Sequence, residues 1–106
     1  KPLSSIQTRI QKIYLRSESV KKHAKTRAKG VCEACVVAAP FCKSNGEPFL
    51  EVHHINRLSD QGADQIDEVA AICPNCHRRC HHGADGKEFN ELLAIRVSGL
   101  ESKKVT

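Results

Sequence analysis

The sequence has no tryptophan and no methionine, one tyrosine and three phenylalanines in 106 residues. A core with so few large rings is expected to be small and aliphatic. A chain this short also buries a smaller share of its surface than a larger one, so a metal staple is a common supplement. There is no secretory signal and no apolar run long enough for a membrane span, so a membrane partner is not expected. No internal repeat or low-complexity segment interrupts the chain, which reads as one small domain. A chain that starts at Lys1 with no methionine anywhere reads as a piece of a longer protein, with a separate domain expected upstream.

What the sequence does have is six cysteines interleaved with six histidines. Without a secretory signal, paired Cys-x-x-Cys motifs point to zinc rather than disulfides. The formal net charge is +5, from 17 Lys and Arg against 12 Asp and Glu. Four zinc-bound thiolates and their ion would lower it by about two units. The chain stays basic, which favours nucleic acid or an acidic membrane surface as partner, or is simply the charge of a basic domain without a polyanion partner.

Ile6, Ile10 and Ile13 fall at i, i+4 and i+7, which predicts a first helix to about Leu15, started by Ser4 or Ser5. A second helix is expected from Ser17 or Ser19 to Gly30, with Val20, Ala24 and Ala28 as its sparse apolar positions. Its polar positions Lys21, Lys22, Lys25, Arg27 and Lys29 form either a solvated face or phosphate contacts. Asn45-Gly46 is a turn signal, and Leu50 to His53 alternates as a strand should. Residues 57–67 read as a polar loop, and Val69 to Ile72 as a short apolar run. Pro74 suits the first turn of a helix ending at Gly83. A last helix is expected after Asp85, with Phe89, Leu92, Leu93 and Arg96 on one side and Gly99 at its end. The tail from Glu101 to Thr106 reads as frayed.

Cys32-x-x-Cys35 and Cys73-x-x-Cys76 supply four thiolates in two pairs, the donor set of a closed, structural zinc site. Cys42 and Cys80 are left over and are expected to be small buried apolar residues. His77 and His81 sit four apart on one helix face, a spacing that lets two imidazoles share an ion. His53 would join them from the strand. The alternative, three ordinary surface or core histidines, suits a lone His better than this group. His54 would then be clear of the ion, and a neutral imidazole can take a proton from water near neutral pH.

Leu50-Glu51-Val52-His53-His54-Ile55, Leu58-Ser59, Gly62-Ala63-Asp64 and Cys73-Pro74-Asn75-Cys76-His77-Arg78 resemble the HNH nucleases. Further similarity through Lys12-Ile13-Tyr14, Lys29-Gly30 and Cys32 is to the C-terminal nuclease domain of McrA-type, modification-dependent restriction endonucleases. The resemblance implies a ββα-metal fold around one divalent ion: Mg²⁺, Mn²⁺, Ni²⁺ or Zn²⁺. It implies His53 and His77 as ligands of that ion, His81 as a further ligand, His54 as general base, and the four knuckle cysteines on structural zinc. It also implies double-stranded DNA as partner, 5′-phosphate and 3′-hydroxyl products, and a bacterial, cytoplasmic setting, and it leaves room for a homodimer. Three positions depart from the pattern. Glu68, nine residues before His77, stands where the family has Asn, Arg57 where it usually has Pro, and Gln61 where it usually has Gly. The family's Asn braces the loop that carries the base; a carboxylate accepts hydrogen bonds but has no N–H to donate.

The expected fold is α+β: a small zinc-stabilised ββα-metal domain flanked by N- and C-terminal helices. Its parts are a basic helical segment over 1–30, the nuclease core with its four-cysteine site over 31–83, and a helix and tail over 84–106. The expected function is metal-dependent hydrolysis of DNA phosphodiester bonds. Lys21, Lys22, Lys25, Arg27, Lys29, Arg78 and Arg79 are the candidates for phosphate contact. The competing expectation is a zinc module that binds DNA or docks a partner with a degenerate active site, kept open by Glu68.

Overall fold

The computed structural model describes residues 5–55 and 65–103. Arg57, Leu58, Ser59, Gln61, Gly62, Ala63 and Asp64, on which part of the family resemblance rests, lie outside the described residues. The elements run α1 (Ser5–Ala28), β1 (Glu51–His54), β2 (Val69–Ile72), α2 (Pro74–His82) and α3 (Gly86–Lys103).

One helix stands where two were expected. No glycine or proline interrupts residues 5–28, and Glu18 pairs with Lys21 at 3.2 Å across the supposed break. Ser17 and Ser19 therefore continue the helix rather than start one. Among the described side chains of this helix, Val20, Ala24 and Ala28 are buried, whereas Ile6 and Ile10 are 67% and 61% exposed. The helix ends as Lys29 and Gly30 turn left-handed at φ 55° and 81°. Glycine takes that conformation without a Cβ penalty.

β1 and β2 pair antiparallel, with Glu51 opposite Ile72, Val52 opposite Ala71, His53 opposite Ala70 and His54 opposite Val69. Two strands alone are marginal in water. Here α1 and α3 both pack on β2, and all four of its residues are buried. That burial explains why β2 reads as a continuous apolar run and not as an alternating strand. The Asn45-Gly46 signal marks a different feature. It closes a tight loop at the isolated bridge between Cys42 and Pro48, with Gly46 at φ 91°.

Helix α2 begins at Pro74 and ends before Gly83 as expected. The chain then turns at once into α3. A Cβ on Gly86 would lie 2.7 Å from the Cys80 carbonyl oxygen and 2.8 Å from that of Arg79, so only glycine permits this approach. Helix α3 runs through Gly99, where an added Cβ would meet no neighbouring element within 4 Å, and its buried stripe is Leu93 and Val97; Leu92 is 66% exposed. Glu101 is not frayed. Its carboxylate accepts from the Arg27 guanidinium at 2.6 Å and lies 2.8 Å from His23 Nε2, which anchors the end of α3 to α1. Cys80 is half-buried against the core, but Cys42 is exposed, contrary to expectation.

Candidate metal centres

The first Cys-x-x-Cys follows α1 in a tight turn. The amides of Ala34 and Cys35 donate to Cys32 Sγ at 3.4 Å, and Val36 N–H returns to the Cys32 carbonyl at 2.9 Å. Val36 adopts φ 60° to close it, an unusual conformation for a β-branched residue. The second pair comes from the start of α2, where Cys73 precedes the first helical turn and Cys76 lies within it. The ligand atoms of Cys32, Cys35, Cys73 and Cys76 all lie within 4.8 Å of one another. Burial opposes the Cys32 thiolate, yet the amides of Cys35, Cys73 and Ala34 bring its pKa down to about 7. Burial and the neighbouring Cys32 and Cys73 sulfurs push the Cys76 thiol up, and Cys35 is raised by burial and by Cys32. Four thiolates become compatible only around a cation, so the donor set fits zinc.

The second cluster faces the hairpin. Its ligand atoms, from His53 on β1 and from His77 and His81 on α2, also lie within 4.8 Å of one another. The three ring centroids form a near-equilateral triangle: 5.2 Å between His53 and His77, 5.1 Å between His53 and His81, and 5.0 Å between His77 and His81. His53 is buried, and its Nδ1 has no hydrogen-bond partner among the described residues. Its other ring nitrogen lies 2.7 Å from Asn90 Oδ1 on α3. Burial holds the His53 imidazole below its ordinary range. The Asn90 contact opposes that shift, while His77, His81 and His54 add to it. A neutral imidazole with a bare nitrogen is the form in which histidine could hold a metal ion. His77 is oriented in a similar way, its Nδ1 lying 2.7 Å from Glu51 Oε1. Such carboxylate contacts fix the tautomer and raise the basicity of a ligating histidine.

His54 is exposed at the very end of β1, where it pairs with Val69. Glu68 is half-buried just before β2, where its carbonyl accepts the Ile55 amide at 2.8 Å; it is not part of the histidine cluster.

Among the basic candidates, Lys22, Lys29 and Arg78 are exposed. Lys21 and Lys25 line a groove of about 520 Å³ beside α1, which Glu18 and Glu47 share. Arg79 pairs with Asp85 and lies 4.0 Å over the Phe89 ring. Arg27 is no phosphate contact. It is 8% exposed, donates to both carboxylate oxygens of Glu33 at 2.6 and 2.8 Å, and also bonds the carbonyls of Ile66 and Val69. Burial disfavours its charge, but Glu33 and Glu101 outweigh that and keep the guanidinium protonated.

Sequence reasoning missed two residues that touch the histidine cluster. Glu51 was within reach, because strand alternation puts it on the same face as His53. Asn90 shares a helical stripe with Leu93 and Val97, so a polar side chain on a buried stripe was the available signal.

Residues 38–83 match the family model described as HNH endonuclease. The chain is 44% identical over 93 residues to the Type IV methyl-directed restriction enzyme EcoKMcrA of Escherichia coli strain K12, over 88% of this chain and 34% of that protein. It is also similar to the solved structure of the Type IV phosphorothioation-dependent restriction endonuclease ScoMcrA. That match has a TM-score of 0.69 and 30% identity, and covers 78% of this chain and 16% of the other. The chain thus spans about a third or less of the length of these relatives.

Proposed function

We propose that this chain, which matches the HNH endonuclease family over residues 38–83, hydrolyses phosphodiester bonds of double-stranded DNA, as the nuclease domain of a modification-dependent restriction enzyme. The observation that carries this reading is the triangle of His53, His77 and His81, whose ligand atoms lie within 4.8 Å of one another, together with the buried, unpartnered Nδ1 of His53.

These three imidazoles would hold the catalytic divalent ion. When bound, such an ion supplies Lewis-acid stabilisation of the negative charge that develops on phosphate oxygens. A set of three neutral nitrogens suits Zn²⁺ or Ni²⁺ better than Mn²⁺ or Mg²⁺, which prefer oxygen donors. His54 would take the proton of the attacking water, from an exposed position at the end of β1 where solvent and DNA can both reach it. Lys22, Lys29 and Arg78 offer exposed charge for phosphates, which positions a duplex without reading its sequence. The choice of modified target would then rest outside this domain. The four-cysteine site would hold zinc and keep α2, with His77 and His81, in register with the hairpin.

The test is cleavage of supercoiled plasmid by the 106-residue chain in Mg²⁺, Mn²⁺, Ni²⁺ and Zn²⁺. Nicking that needs a divalent ion and disappears in His54→Ala is the expected result. Retardation of DNA with no nicking in any metal would instead identify a binding module.

A further inference from the structure

We propose that Asn90 is a positioning residue for the nuclease site, a role that rests on the reading of His53 as a metal ligand and His54 as the base. It lies on α3, outside the stretch that matches the family model. Its side chain touches the residues on either side of His54. Asn90 Oδ1 lies 2.7 Å from His53 Nε2, and Asn90 Nδ2 donates to the Ile55 carbonyl at 2.8 Å.

The chemistry of an amide makes these two contacts interdependent. The Ile55 carbonyl can only accept, so the NH₂ end of Asn90 must face it. The oxygen end then faces His53, so Nε2 must carry the proton. That leaves Nδ1 bare, and Nδ1 is the buried atom without a hydrogen-bond partner among the described residues. One amide therefore selects the metal-binding tautomer of His53 and pins the backbone just after His54. The Ile55 amide is held from the other side by the Glu68 carbonyl at 2.8 Å, so the segment that follows the base is clamped on both its polar groups. Leu93 and Val97, buried on the same stripe, fix the helix that presents the amide.

Two substitutions separate the two contacts. Asn90→Asp keeps an acceptor for His53 Nε2 but replaces the donor with an oxygen that repels the Ile55 carbonyl. Asn90→Leu removes both. The readouts at pH 8 are the ¹⁵N NMR tautomer of His53 without added metal, Ni²⁺ affinity by calorimetry, and plasmid cleavage split into kcat and KM. Asn90→Asp should keep the Nε2–H tautomer and Ni²⁺ affinity, while kcat falls about 10²-fold with KM unchanged, the scale of a small misplacement. Asn90→Leu should lose the tautomer preference and about 10- to 100-fold in Ni²⁺ affinity as well. Wild-type tautomer and affinity in Asn90→Leu would overturn the proposal, as would equal losses in both variants. If Asn90→Leu does not fold, Asn90→Asp decides alone: a retained tautomer with slow cleavage supports the role, and loss of both overturns it. A wild-type chain that never cleaves would count against the nuclease reading. The tautomer and Ni²⁺ measurements would still decide whether Asn90 orients His53.

Discussion

At the scale of single residues, the proposed metal ligand and the proposed base are separable by substitution. His77→Ala removes an imidazole that Glu51 orients, so it should abolish cleavage and release the exchangeable ion. His54→Ala should slow cleavage by about 10²- to 10⁴-fold, the usual contribution of a general base, while metal content stays that of the wild type. Equal metal loss in the two variants would reverse the assignment. Val36 offers a test independent of the chemistry. Its φ of 60° is unfavourable for a β-branched side chain, and that side chain is 53% exposed. Val36→Gly should therefore raise stability by about 0.5–1 kcal/mol, the left-handed penalty less the added entropy of an unfolded glycine. A lower melting temperature would show that the valine earns its place by packing. The four cysteines and three histidines were legible in the sequence because metal ligands come with tight local spacing. Asn90 was not, because a lone polar residue acquires meaning only when α3 docks and brings it to His53 from a distant part of the chain.

Between elements, the strongest polar link is the buried set of Arg27, Glu33 and Glu101, which ties α1 to the first knuckle, to the segment before β2 and to α3. Glu33 Oε1 also accepts the Ala71 amide at 3.0 Å. Replacing Arg27 alone strands a buried carboxylate, so Arg27→Met should cost about 3–5 kcal/mol. Adding Glu33→Gln should recover part of that loss, and additive losses in urea denaturation would refute the coupling. Glu101 gives the pH dependence. Burial raises its pKa, but Arg27 and His23 outweigh burial and bring it below the ordinary value. A depressed carboxylate pKa contributes stability above the unfolded-state pKa, about 4.3, and loses it as pH falls through the folded-state value. Glu101→Gln should thus be less stable than wild type at pH 6–7, and the gap should narrow below about pH 4.3. A gap that widens in acid would contradict the assigned sign. This link was invisible in the sequence: a run of cations reads as a solvated face, and nothing local marks Arg27 as the one that turns inward. The same limit explains why the continuous α1 reads as two helices in the sequence, and Gly99 as a helix end. Serines and glycines stop helices only where packing lets them, and here Glu101 anchors α3 beyond Gly99.

For the molecule as a whole, the proposed zinc is structural and the proposed histidine-bound ion chemical. Structural zinc contributes about 10–16 kcal/mol of apparent binding energy in small zinc peptides, comparable to or above the ~5–15 kcal/mol net stability of a domain. Cys73→Ser should therefore give an unfolded or aggregating chain, and unchanged circular dichroism and melting would argue against a four-cysteine zinc site. Both centres share α2, which supplies Cys76 to one and His77 and His81 to the other, so only the separate loss of each ion shows that they are distinct. The most direct test of that central claim is native mass spectrometry of wild type and His77→Ala with Ni²⁺ added, with plasmid cleavage assayed on the same samples. The account predicts two ions in active wild type, and in His77→Ala a folded, inactive chain that keeps its zinc and carries no second ion. A wild-type chain that cleaves with only the cysteine-bound ion, or a His77→Ala chain that keeps both ions and full activity, would contradict it.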